Sequence, residues 1–374
     1  MIQKNRLAQA KRIIIKIGSA LLVDADRGVV HRKWLEALAE DIAVMRGRGQ
    51  EVIIVSSGAI AVGRRYLGLS EGELRLEEEQ AAAAAGMVRL THAYQEVLNP
   101  HDLTLAQVLL TLDDSENRRR YINARNTLDT LLRLGAVPLI NENDTVATDE
   151  IRFGDNDRLA ARVSAMISAD LLVILSHMDG LYKQDPKEVP DAPHIAEVKG
   201  EITADIEAMA GDEKSTDGTG GMVTKLAAAK ISMSAGTTML IADGMELHPL
   251  ARIEQGARCT WFTPSATPKT ARKKWIAGSL KPAGTLVLDN GALKALGAGK
   301  SLLPAGITGI TGVFQRGDAV IVEDGEKREV ARGLVAYSAE DARQIIGHKT
   351  SEIESILGYR GRDEMIHRDD LVLS

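Results

Sequence analysis

The chain has 374 residues, 44% of them apolar and 26% charged, with a formal net charge of −6, which favours two or three globular domains. The acidic balance argues against a protein whose main work is coating nucleic acid. Its single cysteine, Cys259, excludes an intramolecular disulfide framework and is typical of a reducing compartment. With no apolar run long enough for a signal sequence or a bilayer span, we expect a cytoplasmic protein without membrane attachment.

The first apolar run, Arg12–Ile17, is rich in β-branched residues and ends at Gly18-Ser19, which predicts a buried strand followed by a tight turn. Lys16 stands near the end of that strand, where a lysine is out of place. Its stem can reach solvent along apolar surface. The position before a Gly-Ser turn instead favours an ammonium group directed at a bound anion.

A second strand is predicted at 51–55, after a helix at 31–48, and Ser56-Ser57-Gly58 then turns into another helix. Backbone N–H groups and the Ser57 hydroxyl at a helix N-terminus form a natural seat for an anion. A serine that only caps its helix is the simpler interpretation. Further strands at 104–110, 136–140, 171–175 and 237–241 alternate with helical patterns, including a helix at 76–98. This alternation predicts an α/β fold, a three-layer αβα sandwich with a mostly parallel central sheet.

Two polar clusters follow the short apolar run 137–140, namely Asn141-Glu142-Asn143-Asp144 and Gly154-Asp155-Asn156-Asp157. The second leads into an apolar-periodic helix, so caps explain part of it. One cap needs one residue, however. This excess of carboxylates and carboxamides beyond a strand predicts a ligand site at the carboxyl edge of the sheet.

A glycine-rich stretch at 211–222 leads into a helix that carries Lys225. Small residues, a helix N-terminus and a lysine together suit a phosphate group. The stretch matches neither GxxxxGK[ST] nor GxGxxG, and alone it is most simply a loop.

Composition changes after Trp261, where Pro, Ser and Thr and then basic residues are typical of a linker. Short strands at 284–288, 309–314, 319–322 and 329–335 follow, separated by turns at 289–291, 316–318 and 324–325, which predicts a small β barrel. The expected divisions are a domain at 1–265, a linker at 266–280, a second domain at 281–362 and a tail at 363–374.

These motifs, in this order, resemble the glutamate 5-kinase family, a branch of the amino acid kinase family with a C-terminal PUA domain. The resemblance covers nearly the whole chain. It depends on the segments Lys16-Ile-Gly-Ser19, Val55-Ser-Ser-Gly-Ala-Ile-Ala61, Ile140-Asn-Glu-Asn-Asp144, Gly154-Asp-Asn-Asp157-Arg-Leu-Ala160, Gly180-Leu-Tyr182, Gly218-Thr-Gly-Gly-Met222, Leu303-Pro-Ala-Gly-Ile307, Phe314-Gln-Arg-Gly-Asp318 and Ala331-Arg-Gly333. It implies a β-barrel-like PUA domain at the C-terminus.

The resemblance implies phosphoryl transfer from ATP, with Mg2+, to the side-chain carboxylate of L-glutamate, the first step of proline biosynthesis. It implies that Ser57, Asp144 and Asn156 bind glutamate. Lys16 and Lys225 would flank the transferred phosphoryl group, with Asp157 holding both lysines.

The nucleotide contacts implied by the resemblance are Lys16, Ser176, His177, Thr219, Gly220, Gly221, Met222, Val223, Thr224 and Lys225. His177 departs from the family pattern, which has aspartate after the Ser or Thr. No protein ligand of Mg2+ is assigned. Proline as a feedback inhibitor and a homo-oligomer, dimer or tetramer, are also implied.

Two other functions remain open at this stage. A kinase for another acid, such as an acetylated glutamate or aspartate, would share the sheet and the glycine-rich loop. RNA binding is suggested by the PUA-like part, but residues 281–374 contain 12 Lys+Arg against 14 Asp+Glu, a net charge of −2. That balance gives no broad basic surface and does not favour RNA as the main partner.

Overall fold

A computed structural model describes residues 6–24, 27–69, 72–147, 156–211, 221–278 and 281–374. It divides the chain into two compact units, one of Met1–Glu116 with Asn123–Pro268 and one of Asn117–Ile122 with Lys269–Ser374. None of the helices in these described ranges combines the length and apolar character that crossing a membrane requires.

An eight-stranded sheet organises the first unit, with the order β10-β12-β11-β7-β1-β4-β6-β5. The strands of this unit are β1 Arg12–Ile17, β2 Val23–Asp24, β3 Val29–Val30, β4 Glu51–Ser56, β5 Leu105–Leu110, β6 Val137–Glu142, β7 Leu171–Ser176, β8 Leu181–Tyr182, β9 His194–Ile195, β10 Glu197–Gly200, β11 Thr238–Asp243 and β12 Cys259–Pro264. The helices are α1 Arg6–Gln9, α2 Ser19–Leu22, α3 Arg32–Gly47, α4 Ala59–Tyr66, α5 Leu76–Leu98, α6 Leu112–Glu116, α7 Arg118–Arg133, α8 Asn156–Met166, α9 Ala204–Ala208, α10 Met222–Ser234 and α11 Pro249–Gln255, with α7 beginning in the second unit.

The pairing confirms the predicted α/β class with a mostly parallel sheet, since β11 with β12 is its one antiparallel pair in the described residues. Every residue of β7 is buried, which requires helices on both faces of the sheet. The apolar face of α3, with Leu35, Leu38 and Ile42, packs into the same core as Ile13 and Ile15 of β1.

Helices α4 and α5 approach each other closely at two glycines. A Cβ atom at Gly63 would collide with the carbonyl group of Ala82, and one at Gly86 would collide with that of Ala59. Only glycine permits this backbone contact. The contact fixes α4, which begins directly after the turn that carries Ser57.

The second unit contains a five-stranded sheet with the order β14-β13-β15-β16-β17, in which only β13 with β15 is parallel within the described residues. Its strands are β13 Gly284–Leu288, β14 Ile307–Gly312, β15 Ala319–Glu323, β16 Glu329–Leu334 and β17 Leu371–Leu373. Its helices are α12, which runs Pro268–Gly278 and starts at the unit boundary, α13 Asn290–Gly297, α14 Ala339–Ile345 and α15 Ile353–Leu357.

One local prediction in this part of the chain was wrong. The expected strand-to-strand turn at 289–291 is the start of α13, because the Asp289 carboxylate accepts the Ala292 N–H at 2.7 Å and caps a helix. Residues 268–278 of the stretch expected to be a linker form α12, with Ile276 fully buried.

Candidate functional site

The candidate site lies where the parallel strands β1, β4, β6, β7 and β11 end. Register places Lys16 of β1 beside Val55 of β4 on one side and Ile174 of β7 on the other. The chain therefore delivers Ser57 and Ser176 to the same carboxyl edge as Lys16. This is the edge at which open α/β sheets bind ligands.

A buried carboxylate between two buried lysines is the centre of the site. Lys16 Nζ lies 2.6 Å from Asp157 Oδ1, and Lys225 Nζ lies 3.2 Å from Asp157 Oδ2. Burial alone would raise the pKa of Asp157, but the charges of Lys16 and Lys225 outweigh it and hold that pKa below its ordinary value. The trio carries a net charge of +1 with Asp157 ionised, which suits an added anion.

The start of α10 places Lys225 in this arrangement. Gly221 precedes the helix in extended conformation, and the Thr224 hydroxyl donates to the Gly221 carbonyl oxygen at 2.8 Å. The same hydroxyl lies 3.2 Å from Asp157 Oδ2, so its single O–H group is shared between the two acceptors. Thr224 thus ties the first turn of α10 to the central carboxylate.

Beside this trio, Asn156 forms a second group of contacts. Its Nδ2 carries two hydrogens and has three acceptors within reach: Ser57 Oγ at 2.9 Å, the Ser56 carbonyl oxygen at 3.0 Å and Asn141 Oδ1 at 3.0 Å. Its Oδ1 is buried and has no donor among the described residues. Because a buried acceptor without a partner is costly, this oxygen is suited to receive a donor from a ligand.

Tyr94 of α5 supports the Ser56–Ser57 turn from the interior. Its hydroxyl lies 3.0 Å from Ser56 Oγ, and both side chains are buried. Burial raises the pKa of Tyr94, so the phenol stays neutral. The Ser57 backbone N–H donates to the Ile17 carbonyl oxygen at 3.2 Å, which links this turn to the end of β1.

Asp144 lies two residues beyond β6 and is half-buried. Burial raises its pKa to about 6, and the negative charge of Glu79 acts in the same direction. The carboxyl group is therefore mostly ionised at neutral pH, yet held at a cost that a nearby cation would reduce.

The residues expected to contact a nucleotide are only partly covered by the structure. Ser176 is buried at the end of β7, and the next residue, His177, is exposed. Gly221, Met222, Val223 and Thr224 form the start of α10 and are half-buried. Thr219 and Gly220, as well as Gly154 and Asp155 of the second polar cluster, lie outside the described residues.

A metal site built from protein side chains is not found in the described ranges, where no three His, Cys, Asp or Glu groups could hold an ion together. The best-placed carboxylate, Asp157, already contacts two ammonium groups. The described donor set does not fit a protein-held Mg2+.

Comparison with known proteins identifies the family of this chain. The amino acid kinase family model matches residues 11–243, and the PUA domain model matches residues 284–357. Glutamate 5-kinase of Paramagnetospirillum magneticum is 66% identical over 98% of this chain and 99% of its own length. The chain belongs to the glutamate 5-kinase family.

Two further glutamate 5-kinases are also similar to the chain over nearly its whole length. The Rhodospirillum rubrum protein is 59% identical over 96% of this chain and 96% of its own length. The Rhizobium etli protein is 57% identical over 100% of this chain and 96% of its own. The similarity therefore includes both domains, and the resemblance seen in the motifs is confirmed.

Sequence reasoning placed Asn141 and Ser56 near a predicted ligand site but gave them no role of their own, and it missed Tyr94. Asn141 is 3% exposed, although it is a carboxamide. Its signal was present: it continues the buried run Val137-Pro-Leu-Ile140 and lies within β6, so it faces the interior and not a loop. Ser56 and Tyr94 gave no local signal, because their contact joins residues 38 positions apart.

Proposed function

We propose that the chain transfers the γ-phosphoryl group of ATP to the side-chain carboxylate of L-glutamate, giving L-glutamyl 5-phosphate, the first step of proline biosynthesis. The observation that carries this proposal is the buried Lys16–Asp157–Lys225 trio beside Asn156 and Ser57. The names of the relatives support the choice of glutamate as the acceptor.

The acceptor needs no strong base. A γ-carboxylate is already ionised at neutral pH, so the protein has no proton to remove from the nucleophile. The work that remains is to align the two substrates and to neutralise charge on the transferred phosphoryl oxygens.

Lys16 and Lys225 supply that neutralisation in this proposal. Both ammonium groups are buried, with Lys16 7% and Lys225 4% exposed, so their charges act through little water. Two such cations would repel each other if no anion lay between them. Asp157 separates them in the free protein and keeps them aligned for an incoming phosphoryl group.

Glutamate would bind on the Asn156 side of the trio. The buried Asn156 Oδ1 and the Ser57 hydroxyl offer an acceptor and a donor, and Asp144 offers a carboxylate for the substrate ammonium group.

ATP would be held by the turn at Ser176 and His177 and by residues 219–225. We assign no protein ligand to Mg2+, which would enter on the phosphate oxygens of the nucleotide.

The decisive experiment measures ATP-dependent hydroxamate formation with L-glutamate, N-acetyl-L-glutamate and L-aspartate at matched concentrations. We expect kcat/KM to be highest for L-glutamate. A higher kcat/KM for either other acid would replace glutamate as the substrate while leaving phosphoryl transfer intact. Failure with all three acids, in a protein that binds ATP, would contradict the proposed reaction.

We propose three further properties because the family resemblance implies them. We expect proline to inhibit, the chain to form a homo-oligomer and the enzyme to be cytoplasmic. We also expect catalysis to reside in residues 1–265. Proline titration of the glutamate reaction, light scattering and cell fractionation test the first three.

A further inference from the structure

The second unit contains a group of arginines near the turn Gln315–Asp318. Asp318 closes this turn, since its carboxylate accepts the Gln315 N–H at 2.7 Å and its N–H donates to the Gln315 carbonyl oxygen at 3.0 Å. The Asp318 carboxylate is thus used within the turn. Arg316 lies at the second position of the turn and is half-buried.

Arg316 has an incomplete set of hydrogen bonds. Its Nε is buried and has no acceptor among the described residues. Burial lowers the pKa of the Arg316 guanidinium, and the positive charges of Arg362 and Arg119 lower it further, against the opposing effect of the Tyr359 and Tyr337 phenols. In the described part of the chain, the groups that act most strongly on Arg316 include no carboxylate.

Arg272 of the same unit is a guanidinium group that does have a carboxylate partner. Arg272 Nη2 lies 2.5 Å from Asp370 Oδ1, and the two side chains are only 9% and 10% exposed. Burial lowers the pKa of Arg272, but the Asp370 carboxylate, together with the Tyr121 phenol, outweighs it and the net shift is upward. Arg316 has burial without that compensation.

The segment Asn117–Ile122 brings further positive charge to this turn. Arg118 Nε donates to the Gly317 carbonyl oxygen at 2.6 Å, which places Arg119 beside the turn. The Nη2 of Arg118 is also buried without an acceptor in the described residues. Arg316 and Arg118 therefore each have a buried N–H group without an acceptor in the described residues.

The backbone of Arg362 is held in position by a hydrogen bond from Tyr337. The Tyr337 hydroxyl donates to the Arg362 carbonyl oxygen. A Cβ at Gly361 would collide with that same hydroxyl, so glycine is required for this approach. The backbone of this segment is thus fixed against Tyr337, independently of the Arg362 side chain.

We propose that Arg316, Arg119 and Arg362 (the arginine cluster) bind a phosphate group of a small molecule, at a site separate from the kinase centre. A tetrahedral dianion presents several acceptor oxygens, and it can accept from more than one guanidinium at once. It would supply the acceptor that Arg316 Nε lacks and reduce the repulsion among three like charges. Neither effect requires the kinase reaction, so the proposal stands apart from the proposed function.

The test is calorimetric titration of the full chain with inorganic phosphate in chloride buffer at constant ionic strength. Arg316→Gln should weaken phosphate binding about tenfold or more, the effect expected for a lost charge-assisted hydrogen bond. Arg316→Lys should recover only part of the affinity. Arg360→Gln is the matched control, because it removes an exposed charge from the Arg362 segment, and it should stay within about twofold of the unmodified protein. Phosphate bound at the kinase centre contributes equally to all these proteins.

Equal affinity before and after Arg316→Gln would overturn the proposal. An equal loss in Arg316→Gln and Arg360→Gln would also overturn it, because a diffuse field would then explain the binding. If Arg316→Gln fails to fold, Arg362→Gln gives the same test, since the Tyr337 contact uses only the Arg362 backbone. A single-stranded oligoribonucleotide without terminal phosphates is titrated in parallel. Binding of that RNA through Arg316, without competition from inorganic phosphate, would transfer the site to a nucleic acid and contradict the small-molecule ligand.

Discussion

Asn156 and Asp157 are consecutive residues at the start of α8, and their side chains contact separate groups. Asn156 contacts Ser57 and Asn141, whereas Asp157 contacts Lys16 and Lys225. One peptide unit therefore joins the proposed glutamate side of the site to the proposed phosphoryl side. Substitutions at the two positions should have different kinetic effects.

Replacing Asn156 by Ala should raise the KM for glutamate more than it lowers kcat. The change removes the amide that donates to Ser57 and a buried acceptor without a donor in the described residues. Both are proposed to act in substrate binding, which predicts an effect mainly on KM. Steady-state kinetics with glutamate varied at saturating ATP provide the measurement. An unchanged KM for glutamate would contradict the assignment of Asn156.

Replacing Lys225 by Ala should lower kcat by on the order of 10²–10³-fold, because the cation is proposed to act on charge that develops during transfer. Lys16→Ala should behave alike. Lys230→Ala is the matched control, since Lys230 is an exposed lysine on the same helix, and it should retain nearly full activity. A Lys225→Ala enzyme with unchanged kcat would remove Lys225 from the mechanism.

Replacing Asp157 by Asn should destabilise the protein by about 3–5 kcal/mol, because it leaves two buried ammonium groups without their carboxylate. Urea denaturation at pH 7 measures the effect. The pKa of Asp157 is depressed in the folded protein, so its contribution is present above pH ~4 and is lost as the pH falls through the lower folded pKa. The difference between the two proteins should therefore shrink in acid, and a constant difference would contradict the charge-based account.

Glutamate binding should weaken in mild acid because of Asp144. Its pKa is raised to about 6, so the carboxylate that is proposed to bind the substrate ammonium group becomes protonated below that pH. We expect kcat/KM for glutamate to fall about tenfold per pH unit below pH ~6. Asp144→Asn should give a low and flat profile over the same range. A wild-type profile that is flat between pH 5 and 7 would exclude Asp144 as this group.

The contact between α4 and α5 should tolerate no side chain at Gly63. Gly63→Ala improves helix propensity by up to about 1 kcal/mol, but its Cβ would collide with the Ala82 backbone, so we expect a net loss of about 1–3 kcal/mol. Gly47→Ala is the control, because Gly47 is helical and has no atom within 4 Å of an added Cβ. That variant should be slightly more stable, and equal midpoints for both variants in urea would contradict the packing argument.

Most strands and helices of the first unit could be predicted from local patterns. Arg12–Ile17 and Leu76–Leu98 have the predicted bounds, because β-branched runs and long apolar periodicity identify an element without reference to the rest of the chain. Lys16 was recognisable for the same reason, as a charge in an otherwise apolar strand.

Features that depend on distant pairing were not predictable. Asn156 contacts Ser57 across 99 positions of sequence, and no local pattern specifies that partner. At α12, the sequence did contain a start signal, Pro268 at the first helical position. Because basic residues follow Pro268, the segment was interpreted as a linker, and the apolar side of the helix, which includes Ile276, was not recognised.

The C-terminal unit is discontinuous in sequence, because Asn117–Ile122 clusters with Lys269–Ser374. Arg118 donates to Gly317 and stacks on Trp275, with its Cζ 5.0 Å from the ring centroid. Deleting all residues after 268 would remove Gly317 and Trp275, which contact Arg118 in the first turn of α7. A gene fusion that grafts residues 269–374 onto another protein would likewise lack Arg118 and Ile122. Exchange of this unit between proteins therefore requires two pieces of coding sequence and not one.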